Sequence, residues 1–173
     1  MKTLYLVGGP MGVGKTSVCQ LLKRRLDRCA FLDGDWCWDM DPFVVNDETK
    51  EMVLDNICFV LDRFLHCTEF ENVVFCWVLH QQGIWDAILS RLDTHGWRVV
   101  RAALVASPEA LVRRLQGDIA AGRRQPDVIP RSLARLPFYE KLDALQIDTS
   151  ERSAEETAGC LAFYGRYGTM PSR

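Results

Sequence analysis

Gly9-Pro10-Met11-Gly12-Val13-Gly14-Lys15-Thr16 decides the reading of this chain, because it fits G-x-x-x-x-G-K-[ST] at every fixed position. The apolar run Thr3–Val7 precedes it, and Val18, Leu21, Leu22 and Leu26 follow at helical spacing across Thr16–Leu26. Strand, glycine loop and helix are the context in which this pattern holds a polyphosphate. Glycines let successive backbone N–H groups converge on an anion, and the new helix adds the positive end of its dipole. The reading assigns nucleotide phosphates to Gly9, Gly12, Val13, Gly14, Lys15, Thr16 and Ser17. Lys15 is expected to reach the β- and γ-phosphates and the Thr16 hydroxyl to coordinate Mg²⁺.

Working outward, strand and helix periods alternate. Cys29–Leu32 reads as a second strand, stopped by Asp33-Gly34-Asp35, and Glu48–Leu65 as a helix carrying Met52, Val53, Ile57, Val60, Leu61 and Phe64. Val73–Leu79 is an unbroken apolar run, the pattern of a strand buried on both faces. A helix is expected over Ile84–Leu92, a strand over Arg98–Val105, and a helix from Ser107, with Pro108 at its first position, to Leu115. Between Gly117 and Pro130 the period lapses, which predicts a mobile excursion. A helix over Ser132–Leu142, a strand at Ala144–Ile147 and a helix over Ala154–Tyr164 complete the order, with Gly168–Arg173 as a loose tail. Alternation at this spacing predicts an α/β three-layer fold: a doubly wound parallel sheet of about five strands with helices on both faces.

The chain's 173 residues, 48% of them hydrophobic, suit one domain over 1–173 with the excursion at about 117–130 as a lid. A net charge of −2 supplies no field that favours nucleic acid or an anionic membrane, so neither is expected as a partner. Seven cysteines form no C-x-x-C pair, which argues against a disulfide framework or a zinc site and for a reducing compartment. No segment has the apolar length of a leader or a membrane span, and the expected location is the cytoplasm.

Asp33 and Asp35 stand at the C-terminal end of the second strand, the edge where open α/β sheets bind ligands. One carboxylate could hold Mg²⁺ and the other take a proton from an attacking hydroxyl; the plainer alternative is a D-G turn with capping aspartates. Six arginines fall between Arg113 and Arg135. Gly122-Arg123-Arg124-Gln125-Pro126 combines a hinge glycine, two guanidinium forks and a terminating proline, the makings of a lid that neutralises a transferring phosphoryl group. Arg113 and Arg114 could equally be solvated helix residues paired with Glu109. Trp36, Trp38, Met40, Phe43 and Trp77 could wall an apolar acceptor pocket, although core packing is the preferred reading for Phe43 and Trp77. His80 follows the third strand as either an acid/base group or a helix-entry residue.

The phosphate loop, the D-x-D after strand two and the order of elements resemble the shikimate-kinase-like group of P-loop kinases, with its gluconate kinases, adenylylsulfate kinases and small antibiotic phosphotransferases. Arg135-Leu136-Pro137-Phe138-Tyr139 is similar to the stretch that opens the helix after the lid in shikimate kinases, where the arginine contacts the acceptor. The resemblance implies that Arg135 anchors the acceptor, that Arg114 lies against the adenine, and that Arg123 or Arg124 acts on the phosphates. The chain departs from shikimate kinases at Val74-Phe75-Cys76-Trp77-Val78-Leu79-His80, where they carry a glycine-rich turn that touches the acceptor, and the strand also lacks a Walker B aspartate. Shikimate is therefore not the expected acceptor, and metal coordination falls to Thr16 and the aspartate pair.

These readings converge on an ATP- and Mg²⁺-dependent kinase. Lys15, Asp35, Arg123 and Arg124 are assigned to catalysis, Thr16 and Asp33 to the metal, and Asp33, Asp35, His80 and Arg135 to a small-molecule acceptor. The expected assembly is a monomer or homodimer. A nucleoside monophosphate kinase is the runner-up, with Arg63 the only arginine in its second helix to hold an acceptor phosphate. An ATP-binding regulatory or resistance protein without fast transfer is the alternative of another class.

Overall fold

In the computed structural model, which describes residues 1–170, five strands form one parallel sheet. They are β1 (Lys2–Gly8), β2 (Cys29–Asp33), β3 (Asn72–Cys76), β4 (Trp97–Val105) and β5 (Leu145–Asp148), in the order β2-β3-β1-β4-β5. The helices are α1 (Lys15–Arg25), α2 (Asp47–His66), α3 (Gln82–Leu89), α4 (Pro108–Ala120), α5 (Val128–Tyr139) and α6 (Ala154–Tyr167). This is the three-layer P-loop fold expected from the sequence.

Alternation along β1 explains why its whole run is apolar. Tyr5 and Val7 pack with Val18, Leu22, Leu111 and Leu161 of α1, α4 and α6, whereas Leu4 and Leu6 pack with Ile57, Leu61, Trp85 and Ile88 of α2 and α3. Both faces are buried, so no polar alternation remains to read. Each fully buried leucine stabilises the sandwich by roughly 1.5–3 kcal/mol. β1 lies between β3 and β4, in register Val7 to Cys76 and Val7 to Ala102, so the loop leaving β1 opens into the crevice at the sheet's C-terminal edge.

Helix caps fix where the loops leave. Ser107 accepts from the Ala110 amide with Pro108 at the first position, and Asn46 and Ser153 each complete a capping box.

Several expected boundaries move. β3 ends at Cys76 rather than Leu79, because Leu79 takes a left-handed conformation with φ 39° and turns the chain out of the ladder. α3 ends at Leu89, leaving Leu92 in a turn. The 117–130 excursion contracts to 121–127: α4 runs on through Gly117 to Ala120, and α5 already contains Pro130. Proline in a first helical turn removes only an N–H that has no intrahelical acceptor. Arg135–Tyr139 consequently closes α5 instead of opening it, and Pro137 lies in its last turn. Asp33-Gly34-Asp35 leads into a short 3₁₀ turn, Gly34–Trp38, too brief to show a period. Gly168, φ 77°, caps α6 and Met170 packs on the core, which corrects the expected loose tail over 168–170; the rest of that stretch, 171–173, lies outside the described residues.

Candidate active site

The loop between β1 and α1 owes its shape to two left-handed glycines, Gly12 (φ 83°) and Gly14 (φ 97°), the latter standing at the N-cap of α1 without a side chain. A Cβ on Gly12 would come within 2.6 Å of Leu115, so α4 holds the loop from outside. Val13 is buried beneath it, whereas Gly14, Thr16 and Ser17 are exposed toward the cleft. Lys15 Nζ donates to the Pro10 carbonyl at 2.9 Å, folding back over the loop it would otherwise reach across. Burial pushes the Lys15 ammonium below its ordinary value, and the Arg124 guanidinium adds to this, while Cys76, Asp35 and Asp33 oppose it.

β2 delivers the carboxylates to the same place. Thr16 Oγ1 donates to Asp33 Oδ2 at 2.8 Å, and Asp33 Oδ1 accepts from the Asp35 amide at 3.1 Å. Asp33 is thus both the cap of the 3₁₀ turn and a buried anchor on the phosphate loop, so the capping alternative and the site reading hold together. Asp35 stands at an exposed position on the 3₁₀ turn. Partial burial and then the Asp33 charge push its pKa up; Lys15, the nearby Trp77 side chain and Arg124 pull it back.

The hydroxyl of Thr16 and the carboxylate of Asp33 are hard oxygen donors in contact, the set that suits Mg²⁺ when phosphate oxygens and water complete the shell. Among the described residues no group of three or more His, Cys, Asp or Glu gathers elsewhere to hold a metal.

The arginines separate by position. Arg123 donates to Asp118 Oδ1 at 2.8 Å and Arg124 to Asp118 Oδ2 at 3.2 Å, so one carboxylate at the end of α4 holds both. Burial, the largest single effect, pushes the Asp118 carboxyl up, but the bonds and charges of Arg123 and Arg124 together outweigh it and hold the carboxyl below its ordinary value. Only Arg124 also lies close enough to affect both Lys15 and Asp35; the Arg123 side chain is 67% exposed. Arg114 donates to Thr149 Oγ1 at 3.0 Å and to the Thr149 carbonyl, bracing the loop after β5 rather than pairing with Glu109. Arg113 is exposed.

At the other end of the crevice, Trp85 Nε1 donates to the Leu79 carbonyl at 2.8 Å and Tyr139 Oη donates to the Val78 carbonyl. These two buried anchors, which the sequence reading missed, hold the turn that presents His80. Burial and then the Arg135 charge lower the His80 pKa, and its Nδ1 is buried with no hydrogen-bond partner. The His80 ring stands edge-on to Phe138 at 6.0 Å, so His80, Arg135 and Phe138 form one group. The aromatic wall is split: Trp36 packs edge-on against Phe31 at 5.4 Å, on the α1 side, whereas Trp38, Met40 and Trp77 lean on the α2 side. Phe43 is 63% exposed, which overturns the core reading for it.

A family model described as an AAA domain matches residues 6–128. The chain belongs to that family. The fold is also that of P-loop kinases of known structure. A gluconokinase from Sinorhizobium meliloti 1021 superposes with a TM-score of 0.64 at 18% identity, covering 96% of this chain and 97% of that one. The tunicamycin resistance protein of Deinococcus radiodurans gives 0.65 at 18%, covering both chains completely. The Mycobacterium tuberculosis APS kinase, solved with AMPPNP and APS, gives 0.60 at 15%, covering 91% and 94%. No curated protein sequence matches the chain. Among the described residues no helix is long and apolar enough to cross a membrane.

Proposed function

We propose that the chain is a kinase that moves the γ-phosphoryl group of ATP to a hydroxyl of a small molecule. The observation that carries this reading is the 2.8 Å bond from Thr16 to Asp33, which joins the phosphate loop to the aspartate pair and sets Asp35 beside Lys15. Bound MgATP supplies the electrophilic γ-phosphorus and the leaving ADP. The loop amides and Lys15 hold the phosphates, and Thr16 and Asp33 hold the metal. Asp35 takes the acceptor's proton as its oxygen bonds to phosphorus and the bond to the β–γ bridging oxygen breaks. Its raised pKa makes it a better proton acceptor than an ordinary carboxylate. Arg124 neutralises charge on the transferring group, with Arg123 acting through Asp118 as its support.

Arg114 fixes the loop at Thr149 against which the nucleotide base is placed, and His80 with Arg135 meets the acceptor. The runner-up, a monophosphate acceptor held by Arg63, fits less well, because that guanidinium lies 5.1 Å over the Phe59 ring on an exposed part of α2. The test is γ-labelled ATP with Mg²⁺ against hydroxyl-bearing sugars, sugar acids, nucleosides and antibiotics. Label in an organic phosphate ester supports the kinase; label only in inorganic phosphate, or none released with ATP bound, supports the regulatory alternative.

A further inference from the structure

α4 ends in a cap that gathers both lid arginines onto one residue. Gly122, φ 70°, is the left-handed member of that cap: its amide donates to the Ile119 carbonyl at 2.9 Å, and the Arg123 amide donates to the Asp118 carbonyl at 2.9 Å. A Cβ on Gly122 would meet nothing within 4 Å, so the left-handed φ alone calls for glycine there. The side chain of Asp118 then holds the guanidinium groups. Its Oδ1 accepts from Arg123 Nε at 3.1 Å and from Arg123 Nη2 at 2.8 Å, and its Oδ2 accepts from Arg124 Nε at 3.2 Å. Arg123 thus engages its fork on the carboxylate. Arg124 is held through Nε, and neither of its Nη groups has a protein partner among the described residues.

A carboxylate at this place works against its own helix. Asp118 lies in the last turn of α4, where the negative end of the dipole disfavours an acid and no basic residue of that turn offsets it. Helix stability therefore does not account for it, whereas two neighbouring guanidinium groups do. A single carboxylate between them lets like charges share a short segment and leaves one positive charge in excess. We infer that Asp118 is a positioning residue for the proposed transfer: it ties both lid arginines to the end of α4 and leaves the Nη fork of Arg124 open to phosphate oxygens. This rests on the proposed role of Arg124, the one of the pair that lies near Lys15 and Asp35. The cap sets where the guanidinium stands, and Gly122 supplies a conformation rather than a hinge.

The contacts can be read without any acceptor. In a ¹⁵N-labelled protein, Arg123→Lys and Arg124→Lys identify the two Nε–H resonances. In the parent protein both should exchange with water more slowly than that of the exposed Arg113, and Asp118→Asn should shift both and speed their exchange. Fast exchange in the parent, or unmoved resonances in the variant, overturns the inference. Basal MgATP hydrolysis supplies the functional reading. Asp118→Asn should lower kcat about fivefold, short of the loss on removing Arg124 itself, and leave KM for ATP within about twofold. Arg123→Ala should add no further loss to Asp118→Asn, because its support runs through that carboxylate; additive losses contradict the linkage. A lowered urea midpoint or a raised KM with kcat intact makes Asp118 structural and contradicts the positioning role. Arg124→Ala run alongside separates the two readings. If it leaves hydrolysis intact, the proposed role of Arg124 falls and the inference with it; if it loses activity that Asp118→Asn keeps, the inference alone falls.

Discussion

The two ends of the crevice are built differently. At the proposed nucleotide end five side chains already have partners within the protein: Lys15 on the Pro10 carbonyl, Thr16 on Asp33, Asp33 on the Asp35 amide, Arg123 and Arg124 on Asp118. At the proposed acceptor end His80 Nδ1 is buried without a partner, Arg135 is half-buried with no ion pair among the described residues, and Phe43 of the aromatic wall is 63% exposed. The first end satisfies itself and needs only to exchange internal partners for phosphate oxygens. The second leaves donors and apolar surface that a ligand would satisfy.

The largest effects should separate the ends. Lys15→Ala removes the cation nearest the phosphates and should cut transfer by about a thousandfold, the upper range for losing one preorganised electrostatic donor. Retained turnover in a coupled ATP-consumption assay would dissolve the distinction. Asp33→Asn weakens the link to Thr16 and should raise the Mg²⁺ concentration for half-maximal activity about tenfold. An unchanged Mg²⁺ titration would leave Asp33 with capping alone. Arg124→Ala should cost more than about tenfold in kcat and Arg123→Ala about threefold, since only the former lies near Lys15 and Asp35. Equal losses would show that the pair acts through Asp118 as one unit.

The nucleotide end was legible because its chemistry demands fixed residue types at fixed spacing: Gly9 and Gly14 for the nest, Lys15 for the cation and Thr16 for the hydroxyl. The fold was legible for a related reason, since short unbroken apolar runs alternate with helical periods of 3.6, the pattern of one sheet covered on both faces. The end of β3 was not. Trp77-Val78-Leu79 prolongs an apolar run that looks like strand, and only the tertiary anchors from Trp85 and Tyr139 reveal that Leu79 turns it away. Gly117 and Pro130 misled in the opposite sense, because helix breakers are harmless near a helix end or in a first turn. Trp77 was read as core because large aromatics usually are, and it does pack half-buried against the cluster on the α2 side of the sheet.

The smallest expected effect concerns those anchors. Trp85→Phe keeps the buried ring but leaves the Leu79 carbonyl without its donor, which should lower stability by about 1–3 kcal/mol in urea unfolding. Loss confined to stability, with acceptor KM unchanged, would uncouple the turn from His80.

Asp35→Asn puts the account to its most direct test, with MgATP affinity and acceptor-dependent transfer measured on the same preparation. The account expects a Kd within about twofold of the parent and transfer reduced by at least about a hundredfold, the low end for a general base. Transfer within about threefold of the parent, at unchanged affinity, would contradict it.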